Sequence, residues 1–166
     1  MKLRNLLLTL LVALVALTGC KKESRPEGLP DLYPCSVKVI QGGAPLEGAN
    51  VTLITNDSAL MRWPCGGMTN AEGIAILNTY GFDGAPAGQF QVTIAKTISE
   101  GGAATQEEAA QNMRDGVIVK ETTIDLVDPV YKNQRTTPLT LEVQASKTNP
   151  VAEFDVGEEV REIVIM

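Results

Sequence analysis

The chain has 166 residues, 14 basic and 20 acidic side chains, a net charge of −6 and no histidine. The missing histidine excludes Ser-His-Asp and Cys-His catalysis and the commonest zinc sites. An acidic balance without a basic stripe excludes a nucleic-acid partner, and an aromatic content of 4% leaves little for a stacking surface.

The chain opens on a leader. Lys2 and Arg4 form a charged start, Leu6 to Leu17 is an almost unbroken apolar run, and Leu17-Thr18-Gly19-Cys20 closes it. The run is short for a membrane-spanning helix and has the form of an export signal. Its last four residues resemble the lipobox of bacterial lipoproteins. That resemblance implies removal of 1–19, a mature amino terminus at Cys20 carrying acyl chains, and a membrane as the first partner. Each buried CH₂ contributes about 0.8 kcal/mol, so several chains hold a domain firmly on a bilayer. An ordinary secretory signal that contains a cysteine, or an uncleaved helix, is the alternative. The expected location is the cell envelope of a bacterium, in the outer membrane if the enterobacterial sorting rule applies, because Lys21 rather than aspartate follows the cysteine.

Beyond the leader, 147 residues remain, with twelve basic and twenty acidic side chains, which suits a single domain. Residues 20–34 are rich in Lys, Glu, Pro and Gly and read as a flexible tether, with Lys21 and Lys22 either against anionic headgroups or simply solvated. The domain is expected over 35–157 and a carboxyl-terminal extension over 158–166. Ser36 to Gln41 and Ala49 to Thr55 read as strands, and Trp63 to Gly67 as loop. Asn70-Ala71-Glu72-Gly73 before Ile74 to Leu77 is a hairpin signal. Gly81 to Gly88 reads as surface loop. Gln89 to Lys96 alternates most cleanly, with Phe90, Val92 and Ile94 on one face. Thr105-Gln106-Glu107-Glu108 fits a capping box and predicts a helix of about two turns. Val117 to Val119 and Thr123 to Val127 suit edge strands. Leu139 to Val143 and Val151 to Val156 read as strands, while Glu158 to Met166 matches both helix and strand spacing. The fold class that follows is all-β, an antiparallel Greek-key sandwich of about seven strands with one short surface helix in an insertion.

Cys20 is assigned to the anchor, which leaves Cys35 and Cys65 in an oxidising compartment, where an even pair reads as a disulfide. Closing a loop of about thirty residues stabilises a fold by roughly 3 to 4 kcal/mol in the chain-entropy model. Two free buried thiols are the alternative.

Three segments carry a further resemblance: Pro45-Leu46-Glu47-Gly48-Ala49-Asn50-Val51, Thr69-Asn70-Ala71-Glu72-Gly73, and Pro86-Ala87-Gly88-Gln89-Phe90-Gln91-Val92. In this order they resemble the carboxypeptidase regulatory-like, or transthyretin-like, domain, with Phe90 where tyrosine is commoner and Asn70 where aspartate is. Pro129 to Tyr131, Thr137 to Thr140 and Phe154-Asp155-Val156 look like the end of the same domain. The resemblance covers about 36–156 without 97–128, and it implies a Greek-key sandwich serving as an accessory module rather than an enzyme.

The functional expectation is a membrane-anchored, noncatalytic envelope lipoprotein that binds a protein or a glycan, with no catalytic residues, cofactor or metal. A carbohydrate-binding module is one alternative and would use Trp63, Tyr80, Phe82 and Tyr131 on a shared exposed face. A hydrolase such as 5-hydroxyisourate hydrolase is the other. Its histidines and terminal Tyr-Arg-Gly-Ser motif are missing here. Asp57, Asp83, Asp125 and Asp128 are loop-prone oxygen donors without a calcium-loop pattern.

Overall fold

The computed structural model describes residues 25–101, 105–117 and 120–164. The leader, Cys20, Lys21, Lys22 and Ile118–Val119 lie outside these residues. The described residues are mostly β, with 41% of them in strands and 10% in helix, and form an all-β sandwich.

Its strands in chain order are β1 (Leu32–Tyr33), β2 (Ser36–Gln41), β3 (Ala44–Pro45), β4 (Asn50–Ile54), β5 (Cys65–Met68), β6 (Ile74–Ile76), β7 (Asn78–Thr79) and β8 (Phe82–Asp83). They continue with β9 (Ala85–Pro86), β10 (Gly88–Ala95), β11 (Thr97–Gly101), β12 (Glu121–Asp125), β13 (Thr140–Val143), β14 (Ala152–Asp155) and β15 (Glu162–Ile163). Helices α1 (Gln106–Asp115) and α2 (Pro129–Lys132) stand either side of β12.

One face of the sandwich is a six-stranded sheet in the order β13-β10-β4-β5-β7-β8. The other is a smaller sheet in the order β14-β2-β3, with β6 also paired to β2. The pairing is antiparallel except for β14, which runs parallel to β2. Alternation explains the core: Val37 and Val39 of β2, Val51 and Leu53 of β4, and Phe90, Val92 and Ile94 of β10 are buried, while their neighbours along each strand are more exposed. A third, small sheet of β11, β12 and β15 resolves the ambiguous carboxyl-terminal stretch as a strand at Glu162–Ile163.

Several expectations change. Trp63 to Gly67 is not all loop, because β5 lies between β4 and β7 in the large sheet. Its two glycines look like loop composition, but they mark a close approach of backbones. A Cβ at Gly66 would lie 2.6 Å from the Val51 carbonyl oxygen, and one at Gly67 2.5 Å from that of Ile76. Gly81 to Gly88 is not simply a surface loop, since Ala85 and Pro86 are buried and pair with β1. That pairing draws part of the expected tether into the fold: Leu29 is buried and Tyr33 packs on the core.

Thr105 caps α1 by accepting a hydrogen bond from the Glu108 N–H, as the capping box predicts, and the helix runs ten residues with none buried. The second helix, α2, is not anticipated by the sequence reading. Asp128 caps it from the Val130 N–H and Pro129 starts it, a pairing that marks a helix beginning.

The turn at Asn70 forms as expected. The Asn70 side chain accepts from the Glu72 and Ile74 N–H groups, and Gly73 takes a φ of +74°. The strand after it does not close a hairpin in its own sheet, however. β6 pairs with β2 of the small sheet, and β7, two residues later, pairs with β5 of the large one. Leu77 sits between them, fully buried; its N–H donates to the Cys35 carbonyl and its own carbonyl accepts from the Gly84 N–H. Leu77→Ala is expected to cost about 2 to 5 kcal/mol, as for other buried leucines, measured by chemical denaturation.

Candidate functional site

A group of polar side chains gathers at one end of the large sheet, where β4 finishes, β5 and β10 begin, and the loop of residues 55–64 connects β4 to β5. Asp57 shapes this loop: its carboxylate accepts from the Ala59 N–H and its carbonyl from the Leu60 and Met61 N–H groups. Leu60 is thereby laid over Gly88, where an added Cβ would come within 3.2 Å of its Cδ1.

The outward face of three neighbouring strands supplies polar groups. Phe90 and Val92 point into the core, so Gln89 and Gln91 point out. Gln91 is level with Ile54 of β4 and Thr140 of β13, and Gln89 with Glu142. Together with Asn56 these residues border an open groove of about 670 Å³, and Leu60 and Leu141 add an apolar lining. Gln134, in the loop after α2, donates to the Asn56 side-chain oxygen at 3.1 Å, and with Arg135 it extends the groove past Gln91. Side-chain amides can both donate and accept, so the groove suits a partner rich in hydroxyls or amides.

The four aromatics singled out from the sequence do not share one face. Trp63 and Tyr80 meet edge to face at a centroid distance of 5.9 Å. The Arg62 guanidinium lies 4.9 Å from the Trp63 ring centroid while donating to the Gly28 carbonyl, so one face of that ring is already covered. The indole N–H of Trp63 is buried without a hydrogen-bond partner among the described residues. Phe82 is half-buried in β8, and Tyr131 of α2 packs against the core. Tyr80 is exposed and has a φ of +54°. Together with Gly81 at +86° it forms the two-residue link of the β7–β8 hairpin, and two positive values are what a type I′ turn demands. Turn geometry therefore accounts for the unusual backbone at Tyr80.

The acidic residues are separated as well. Asp57 and Asp128 cap their local turns, Asp83 lies in β8, and Asp125 forms an ion pair with Lys132. Asp125 is buried, and its second carboxylate oxygen has no hydrogen-bond partner among the described residues. No three His, Cys, Asp or Glu side chains come together to hold a metal among the described residues.

Cys35 and Cys65 are brought together in the core, both buried and both free thiols in this structure. Burial first, and the neighbouring Cys65 second, push the Cys35 thiol up to about 11. Burial also raises Cys65, against the opposing pull of its hydrogen bond with Thr79. A thiol raised on folding favours the folded state while it is protonated. The reduced protein is therefore expected to lose stability as pH rises from about 9 towards about 11. Thermal denaturation of the reduced chain beside a Cys35→Ser/Cys65→Ser variant checks this: the reduced chain should show the steeper fall.

The groove was missed by sequence reasoning because that search followed aromatic rings. The available signal was the polar half of the β10 alternation, Gln89-x-Gln91-x-Thr93. No family model matches the chain, and neither a curated protein nor a solved structure matches it significantly.

Proposed function

We propose that the chain is a lipid-anchored, noncatalytic binding module of a bacterial cell envelope, with a transthyretin-like sandwich that holds a neutral glycan in the groove bordered by Asn56, Gln89, Gln91 and Thr140. The groove carries this reading. It is open, its polar border combines the amides and hydroxyls of Asn56, Gln89, Gln91 and Thr140 with the carboxylates of Asp57 and Glu142, and Leu60, Phe90 and Leu141 line it, which suits a chain of hydroxyl-bearing rings held by hydrogen bonds. The leader and the cysteine at its end support the anchor, and a sequence without histidine supports a role that is not enzymatic. The covered Trp63 ring favours the groove over an aromatic platform as the binding surface.

Chemical-shift mapping with neutral oligosaccharides cut from envelope polymers tests the binding. Shifts confined to the groove are expected, with Gln91→Ala weakening affinity about tenfold, the worth of one or two lost hydrogen bonds. Shifts gathered at Trp63 and Tyr80 instead would overturn the groove as the binding site, and none with any polymer would overturn the glycan reading. The intact mass of the membrane-extracted protein tests the anchor separately. It should equal residues 20–166 plus acyl chains, and an unacylated mass would remove the lipoprotein reading.

A further inference from the structure

The two cysteines beyond the leader are far apart in sequence, yet the fold places both beside the same short crossing between its sheets. Cys35 stands immediately before β2, and its carbonyl accepts the Leu77 N–H at 3.0 Å. Cys65 opens β5 and is level with Thr79, two residues further along that crossing. Both are packed into one aliphatic cluster with Val37, Leu53 and Leu77, at 6% and 1% exposure. A cysteine in a core is common as a small apolar residue. Two of them from opposite sheets, packed in one buried cluster and set against Leu77 and Thr79 of the same crossing, are a pair.

We propose that Cys35 and Cys65 form an intramolecular disulfide that staples the start of β2 to β5, and with it the small sheet to the large one. The chemistry needs a disulfide donor such as oxidised glutathione or a thiol-disulfide oxidoreductase. One protein thiolate attacks the donor, forming a mixed disulfide and releasing one thiol. The second protein thiolate then displaces the other, so two protein thiols become one disulfide and the donor is reduced to two thiols. The same burial makes these sulfurs unreactive once the chain has folded, so the bond forms during folding and resists reduction afterwards. The staple also ties the point where the chain enters the sandwich to an interior strand of the large sheet. β1, which comes before it, is only two residues long.

The test is peptide mapping of the full chain refolded from the reduced, denatured state in a mixture of oxidised and reduced glutathione. The product is alkylated under denaturing conditions and cut with trypsin. Cys35 falls in peptide 23–38 and Cys65 in peptide 63–96. The expected result is one linked species containing both peptides, which separates on reduction and is not formed by a Cys65→Ser variant. Recovery of both peptides singly alkylated without reduction overturns the proposal, as does either peptide linked instead to the one containing Cys20. Because oxidation is carried out on the isolated chain, the outcome does not depend on export, and a failed anchor is distinguished from a failed staple. Membrane-extracted protein mapped in the same way is expected to give the linked species before any refolding.

Discussion

Everything in this fold depends on a six-residue crossing, Ile74 to Thr79, that belongs to both sheets. β6 hydrogen-bonds to β2 on one side, β7 to β5 on the other, and the buried Leu77 fills the interior between them. A sandwich usually holds its sheets together by side-chain packing alone. Here the backbone contributes too, since the Leu77 N–H and C=O are committed to Cys35 and Gly84. The crossing is possible because Gly66 and Gly67 carry no side chain where β5 meets β4 and the chain at Ile76.

With β5 fixed in that place, the position of the groove follows. The loop of residues 55–64 must connect the end of β4 to the start of its immediate neighbour, so it stays at one end of the sheet and turns back over β10. Leu60 over Gly88 and Gln134 on Asn56 then frame the outward side chains of β10 and β13. Strand β10 carries the Gln89 and Gln91 amides, and the loops supply the walls and the amides of Asn56 and Gln134. That arrangement holds polar groups at fixed spacing, as the proposed binding role requires.

What was legible in the sequence was whatever one element decides by itself. The alternation of Gln89 to Lys96, the Thr105 cap and the Asn70-to-Gly73 turn each follow from residues within reach of one another, and each forms where expected. What was not legible depends on partners distant in the chain. Cys65-Gly66-Gly67 has the composition of a loop until β4 and the crossing are placed on either side of it. Leu32–Tyr33 reads as tether until Ala85–Pro86 offers it an edge. The third sheet joins residues 97–101, 121–125 and 162–163, whose side chains are mostly exposed, so the pattern gave only an edge strand at Thr123 to Val127 and an ambiguous stretch after Glu158, and not their pairing. The candidate site follows the same rule. Aromatic residues are conspicuous in a sequence poor in them, whereas two glutamines on the solvent face of a strand become a site only when a neighbouring strand and two loops surround them.

The central claim is that the crossing makes two sheets into one cooperative unit, and native-state amide hydrogen exchange tests it most directly. The Leu77 N–H, bonded to Cys35, reports the junction, and the Val92 N–H, bonded to Leu139, reports the interior of the large sheet. Both are expected to exchange through global unfolding, with the same free energy of opening and the same denaturant dependence. Exchange at Leu77 through a separate opening, with Val92 still protected, would show that the small sheet detaches on its own and that the crossing does not hold the structure together.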